Sequence, residues 1–229
     1  MNVGTRNEIK KDIKKGYVKV DGKIISDASF PIFKNSTILY KNEAITYEPY
    51  QYFIVNKPSG YISATSDKNH KVVTDLLKGN RKDVFPVGRL DIDTEGLLLI
   101  TNDGELSHFL LSPKNHVQKT YFAKILGNVK DSDILTFNEG FYYDENLKAL
   151  PSKLSILKRK ASDESTITYV NVTICEGKFH QIKKMFKALG YEVLYLKRIS
   201  FGSLFLPEDL NIGEYKKLTE EEVNNLKNL

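Results

Sequence analysis

Two stretches, Val117–Leu126 and Thr166–Cys175, alternate in side-chain character with a period of two, and no other pattern limits the fold as strongly. In the second, Val170, Val172 and Ile174 share one face, so a sheet must bury that face against other apolar side chains. Two shorter runs, Tyr52–Val55 and Gly96–Ile100, are apolar throughout and read as buried strands. Each ends in turn residues, Asn56-Lys57-Pro58-Ser59-Gly60 and Asn102-Asp103-Gly104. Tyr191–Phe201 reads as a further strand. Helical patterns cover Glu105–Leu111, which stops before Pro113, and Lys178–Leu189, which ends at Gly190. Thr219 and Glu222 have the spacing of a capping box and predict a last helix. With strands more numerous than helices, the pattern predicts an α+β fold on a mostly antiparallel mixed sheet flanked by helices.

The N-terminal piece differs in charge. Residues 1–42 carry nine Lys/Arg against four Asp/Glu, while the rest of the chain is balanced. Thr5 and Glu8 predict a capped helix over Arg6–Lys15, closed at Gly16, where a positive φ is cheap. Tyr17–Val20 alternates like a strand, Asp21-Gly22 is a two-residue hairpin signal, and Lys23–Ile25 returns. Lys10, Lys11, Lys14, Lys15, Lys19 and Lys23 then share a helix–hairpin surface suited to phosphates. A solvated basic face accounts for the charge equally well. The expected organisation is a small domain over 1–42, a linker over 43–50 and a larger domain over 51–229.

Several classes are excluded. A single Cys175 makes no internal disulfide and anchors no multi-cysteine zinc site. His70, His108, His116 and His180 lie too far apart for a metal cluster. The longest apolar runs are four or five residues, far below a membrane span, and no signal-peptide pattern opens the chain. The expectation is a cytoplasmic protein away from membranes. Dinucleotide, phosphate-loop and metal motifs are absent.

The densest polar cluster is Val87–Gly96, where three acids, an Arg and a Thr precede an apolar strand. Loops carried on rigid strands are common places for catalytic groups. Gly88-Arg89-Leu90-Asp91-x-x-Thr94-x-Gly96-Leu97-Leu98 resembles the central motif of the RsuA/RluA pseudouridine synthase families. Asn56-Lys57-Pro58-x-Gly60 resembles their first motif and Lys119-Thr120-Tyr121 the strand that follows. Glu176-Gly177-Lys178-Phe179-His180-Gln181-Ile182-Lys183-Lys184-Met185-Phe186 resembles their third, and Gly213-Glu214-Tyr215 with Leu218–Glu222 the tail of the RsuA branch. Lys15–Lys23 is similar to the core of the S4-like (alpha-L) RNA-binding domain. That family has a further helix upstream, so the resemblance implies an N-terminally truncated domain. Together the motifs resemble an RsuA-type ribosomal small-subunit pseudouridine synthase.

The resemblance implies a pseudouridine synthase fold and a cofactor-free isomerisation of one uridine in 16S rRNA, either free or in a partly assembled small ribosomal subunit, by a monomeric enzyme. Breaking a glycosidic bond calls for a carboxylate near the anomeric carbon. By the resemblance this is Asp91, acting either as nucleophile on the sugar or as base on a sugar proton. Lys183 is implied as the cation that keeps it anionic, and Tyr121 as the active-site tyrosine under the flipped uracil. Arg89, Lys57, Lys184 and Arg198 are implied as RNA contacts that offset the cost of flipping, which is a few kcal/mol. Leu90, His180, Gln181 and Leu204 are implied to line the uracil pocket. His180 and Gln181 fit the RsuA branch, since large-subunit relatives tend to carry Asn-Arg-Gln there and arginines in place of Lys183 and Lys184. Two other readings stay open: a 23S rRNA enzyme of the same family, and a catalytically silent rRNA-binding or ribosome-assembly factor.

Overall fold

A computed structural model describes residues 3–33, 35–45, 49–77, 83–161 and 165–229. The chain divides into two compact units, one built on residues 1–50 and the other on 51–77 and 84–229.

The first unit opens with α1 (Arg6–Lys14), whose start is closed by the expected reciprocal bonds: the Glu8 amide donates to Thr5 Oγ1 and the Thr5 amide to Glu8 Oε2. Strands β1 (Val18–Val20), β2 (Lys23–Ile24), β3 (Ile38–Tyr40) and β4 (Glu43–Ile45) form a sheet in the order β2-β1-β3-β4. Asp21 and Gly22 both take positive φ, as a type I′ hairpin turn requires. Ile13, Val18, Val20 and Ile25 make a small core. The linker expected over 43–50 begins later than its sequence suggests. Lys41 and Asn42 both adopt positive φ, turning the chain so that Ile45 pairs with Ile38 in a second hairpin. No glycine marks this turn, so the strand after it was hidden; residues 46–48 lie outside the described set.

The second unit continues with β5 (Tyr52–Lys57), β6 (Tyr61–Ile62), β7 (Lys71–Val72), β8 (Phe85–Pro86) and β9 (Glu95–Thr101). Next come α2 (Gly104–Leu111), β10 (Lys119–Leu126), α3 (Asp131–Glu139), the hairpin β11 (Tyr142–Asp144) and β12 (Leu147–Lys148), β13 (Lys153–Ala161) and β14 (Thr166–Ile174). It ends with α4 (Gln181–Ala188), β15 (Glu192–Phe201), β16 (Leu204–Phe205), β17 (Tyr215–Lys217) and α5 (Glu220–Lys227). The main sheet runs β13-β14-β10-β15-β9-β5-β17, and every pair along this path is antiparallel except β15 with β9. This is the mixed α+β architecture that the pattern predicts.

Two apolar clusters sit on opposite faces of the sheet. Phe53, Val55, Leu98, Ile100, Tyr121, Val170 and Val172 point to the first, with Phe137 of α3 and Ile182, Met185 and Phe186 of α4. Tyr52, Ile54, Leu97 and Leu99 point to the second, with Leu106 and Leu110 of α2 and Leu226 of α5. Among the described residues no helix is long and apolar enough to cross a membrane.

Candidate active site

The site grows from the turn that precedes β9. Leu90 is fixed through its backbone: its amide donates to Ser63 Oγ at 2.9 Å, and its carbonyl accepts from the same hydroxyl at 3.1 Å. The Thr94 amide donates to the Asp91 carbonyl at 3.1 Å, which makes a tight turn over Asp91–Thr94. Beneath this turn lies the fully buried Lys57, the last residue of β5. Its Nζ lies 2.8–3.2 Å from the carbonyl oxygens of Pro58, Asp91, Ile92 and Thr94. One ammonium thus gathers backbone acceptors that the turn leaves without strand partners. Burial pushes the Lys57 ammonium down to about 8, against the opposing pull of Asp93, Asp91 and Glu95. The strand that follows passes through Gly96, where φ is +101° and an added Cβ would meet the Arg198 carbonyl and lie 2.8 Å from its amide nitrogen. Only glycine lets β9 approach β15 this closely.

Asp91 is thereby presented to the start of α4. Its Oδ2 lies 3.3 Å from Lys183 Nζ and its Oδ1 3.6 Å from His180 Nε2. Lys183 is shared: its shorter contact, 2.6 Å, is to Asp93 Oδ1. Burial pushes the Asp93 carboxyl up, but the hydrogen bond and charge of Lys183 outweigh this and hold it below the usual carboxylate range. His180 takes a left-handed conformation at the helix N-cap and stacks on Phe179, with ring centroids 3.8 Å apart.

Asp91, Tyr121 and Lys183 line one cavity with about 420 Å³ of space open to solvent. Arg89, Leu90, His180 and Gln181 line it as well. Tyr121 reaches it from β10, on the buried face of the sheet. Gln181 also holds the third-motif loop: its Nε2 donates to Glu176 Oε1 at 2.6 Å, and its Oε1 accepts from the Lys178 amide.

Four expected positions lie elsewhere. Lys57 touches no solvent and binds carbonyls, so it is a scaffold for the loop rather than a phosphate contact. Arg198 is buried, donates from Nε to the Leu97 carbonyl at 2.7 Å and packs over the Phe201 ring. Its place as an RNA contact is therefore corrected to a strap between β15 and β9. Leu204 belongs to the cluster on the opposite face of the sheet, with Phe201 and Leu97, and Leu196 fills the cavity wall instead. Lys184 is half-buried and pairs with Asp144 at 2.8 Å, which ties α4 to the β11 strand. Arg89 is exposed and has no acidic partner in Asp93 or Glu95; those carboxylates bind Lys183 and the Tyr195 hydroxyl. In the first unit Lys10, Lys14, Lys15 and Lys23 are exposed, and Lys19 is half-buried with Nζ 3.1 Å from Asn42 Oδ1.

Sequence reasoning missed Ser63, the Lys183–Asp93 bond and Leu196. Leu196 could have been found from the alternation of Tyr191–Phe201, because it faces the same side as Tyr121. Ser63 carries no local signal, since its role depends on a loop 27 residues away.

The comparisons with known proteins show the family. The model of the RNA pseudouridylate synthase family matches residues 51–188, and that of the S4 domain residues 1–38. The chain is 42% identical to an uncharacterized RNA pseudouridine synthase, YtzG, of Bacillus subtilis, over 96% of this chain and 92% of the relative. It is 37% identical to ribosomal large subunit pseudouridine synthase B of the same organism, over 99% and 92% of the two chains. It is also 37% identical to ribosomal small subunit pseudouridine synthase A of Haemophilus influenzae, over 98% and 95%. A crystal structure of a pseudouridylate synthase, 36% identical, superposes with a TM-score of 0.71 over 97% of this chain and 94% of the other. The chain belongs to the RNA pseudouridylate synthase family, in its RsuA/RluB branch with an N-terminal S4 domain: it is a pseudouridine synthase, an isomerase that acts on RNA.

Proposed function

We propose that the protein converts one uridine of 16S rRNA, free or in a partly assembled small subunit, to pseudouridine in the cytoplasm, with Asp91 acting on the ribose of an everted nucleotide. The observation that carries this reading is the convergence of Asp91, Tyr121 and Lys183 on one cavity from three separate elements. A base must leave its stack to reach such a site. The bond between the ribose and uracil N1 then breaks, the base turns, and carbon 5 bonds to the same sugar carbon. The proton on carbon 5 leaves and N1 gains one, so atoms and electrons balance without a cofactor. Asp91 meets the electron deficiency at the anomeric carbon, as carboxylates do in glycosidases. Lys183, 3.3 Å away, supplies the compensating charge where Coulomb attraction is less screened than in bulk water. Tyr121 lies under the base and serves the proton movement at carbon 5. Arg89 at the exposed rim and the lysines of the first unit face the phosphates.

Support for the small subunit comes from His180, Gln181 and the lysines at 183 and 184, and from the Haemophilus influenzae relative's name. The large-subunit relative from Bacillus subtilis has the same identity, so 23S rRNA is the reading to test against. Unmodified 16S and 23S rRNA are incubated with the protein, and pseudouridine is mapped by carbodiimide derivatisation and primer extension. A single new stop in 16S rRNA is expected. A stop in 23S rRNA alone would replace the substrate, and no stop in either would remove the activity on rRNA.

A further inference from the structure

Phe179 is 74% exposed although it stands two residues before the helix that carries Lys183. Its loop is firmly held. Glu176 accepts from the Leu150 amide and the Gln181 side chain, and Lys178 bonds to Glu176 and to the Lys148 carbonyl. A ring on so well pinned a segment is displayed by the backbone. One of its faces is covered, because His180 lies nearly parallel at 18° with centroids 3.8 Å apart. The same imidazole contacts Asp91 at 3.6 Å. The left-handed conformation of His180, which histidine adopts more readily than most non-glycine residues, sets the chain direction between the two rings. The second face of Phe179 is left for another flat group, between Lys178 and His180, which both line the cavity.

We propose that this open face is a nucleobase subsite, which takes by stacking the base adjacent to the everted uridine. The inference rests on the reading of the cavity given above and adds a second point of grip on the RNA. An everted nucleotide leaves a neighbour that has lost a stacking partner, and an aromatic ring replaces it. Every base has a π-face, so the subsite grips without reading sequence through hydrogen bonds. His180 acts as its support, linking the stack to the carboxylate end of the cavity.

The test uses the full chain and a labelled RNA hairpin with one uridine in its loop, with binding followed by fluorescence anisotropy. Phe179→Ala should weaken binding about ten-fold, in the range that single base–aromatic stacks produce, and Phe179→Trp should restore it. An abasic site on one side of the uridine should weaken wild-type binding equally, and should cost the Phe179→Ala protein nothing further. Unchanged affinity of Phe179→Ala, or losses that multiply with abasic sites on both sides, would overturn the subsite. Pseudouridine formation is followed on the same RNA. If none forms while the coupling persists, the subsite stands and the reading of Asp91 falls.

Discussion

Strands β5 and β9 are buried on both faces, whereas β10 and β14 bury only alternate residues, and the candidate site draws Asp91 from the turn before β9 and Tyr121 from β10. The turn that bears Asp91 is anchored in the doubly covered half. There Lys57 can be wholly buried because four carbonyls receive its ammonium and no water competes. Tyr121 belongs to the half with one covered face. Its neighbour Phe122 points the other way, to a half-buried surface where Tyr169 and Tyr195 pack around it. The Asp91 carboxylate thus rides on a backbone turn fixed by a two-sided core, whereas Tyr121 stands on a strand that helices cover on one face.

The comparison can be broken most strongly by trimming equivalent apolar residues. Leu98→Ala, in the doubly covered half, should cost about 2–5 kcal/mol of unfolding free energy in urea. Phe122→Ala, on the half-buried face, should cost about 1 kcal/mol, because little of a cavity remains there. Equal losses would mean that the two halves are not differently supported. Lys57→Met comes next. It removes an expensive buried charge but takes the donor from the Pro58 and Thr94 carbonyls, while those of Asp91 and Ile92 keep the Thr94 and Gly60 amides, so the net loss should be about 1–3 kcal/mol. Turnover should fall at least about ten-fold through misplacement of the Asp91 turn. Lys57→Met turning over like wild type would separate the lysine from the site.

A smaller effect follows from pH. In the folded protein Lys57 releases its proton at about 8 against 10.5 ordinarily, and Lys119 is likewise pushed down to about 8 by burial and the nearby charge of Arg198. Between those values the unfolded chain holds more protons than the folded one, so these two groups add stability as pH rises from 8. Turnover should move the opposite way, falling through about pH 8 as the ammonium under the turn becomes neutral. Urea titrations of wild type and Lys57→Met from pH 7 to 9 should show the variant losing about half of the rise, with Lys119 left. A rise of equal size in both would exclude Lys57 as a contributor.

The residues that sequence could read are those with local signals. Val170, Val172 and Ile174 turn to one core as their alternation requires, and Thr5–Glu8 and Thr219–Glu222 close helix starts as their spacing requires. Asp91, Tyr121 and Lys183 were found through motifs, and the cavity brings them together. What could not be read depends on distant partners. Lys57 sits beside Pro58 like any turn lysine, and only the carbonyls of residues 91–94 make it a buried scaffold. Arg198 owes its burial to the Leu97 carbonyl, 101 residues away. β13 was invisible because it is an edge strand whose Lys158-Arg159-Lys160 run hides any alternation. α3 was missed because its start is capped without a Ser, Thr, Asn or Asp at the cap position.

The central claim is that the Asp91 carboxylate acts on the sugar of an everted uridine while Lys183 balances its charge. Asp91→Asn keeps the size and the turn but removes the anion. The decisive measurement is pseudouridine formed per enzyme on rRNA under single-turnover conditions, for wild type and Asp91→Asn, with RNA affinity measured alongside. The account predicts product from wild type, none above background from the variant, and affinities within about ten-fold of each other, since no phosphate contact has been removed. Equal product from both proteins would contradict it.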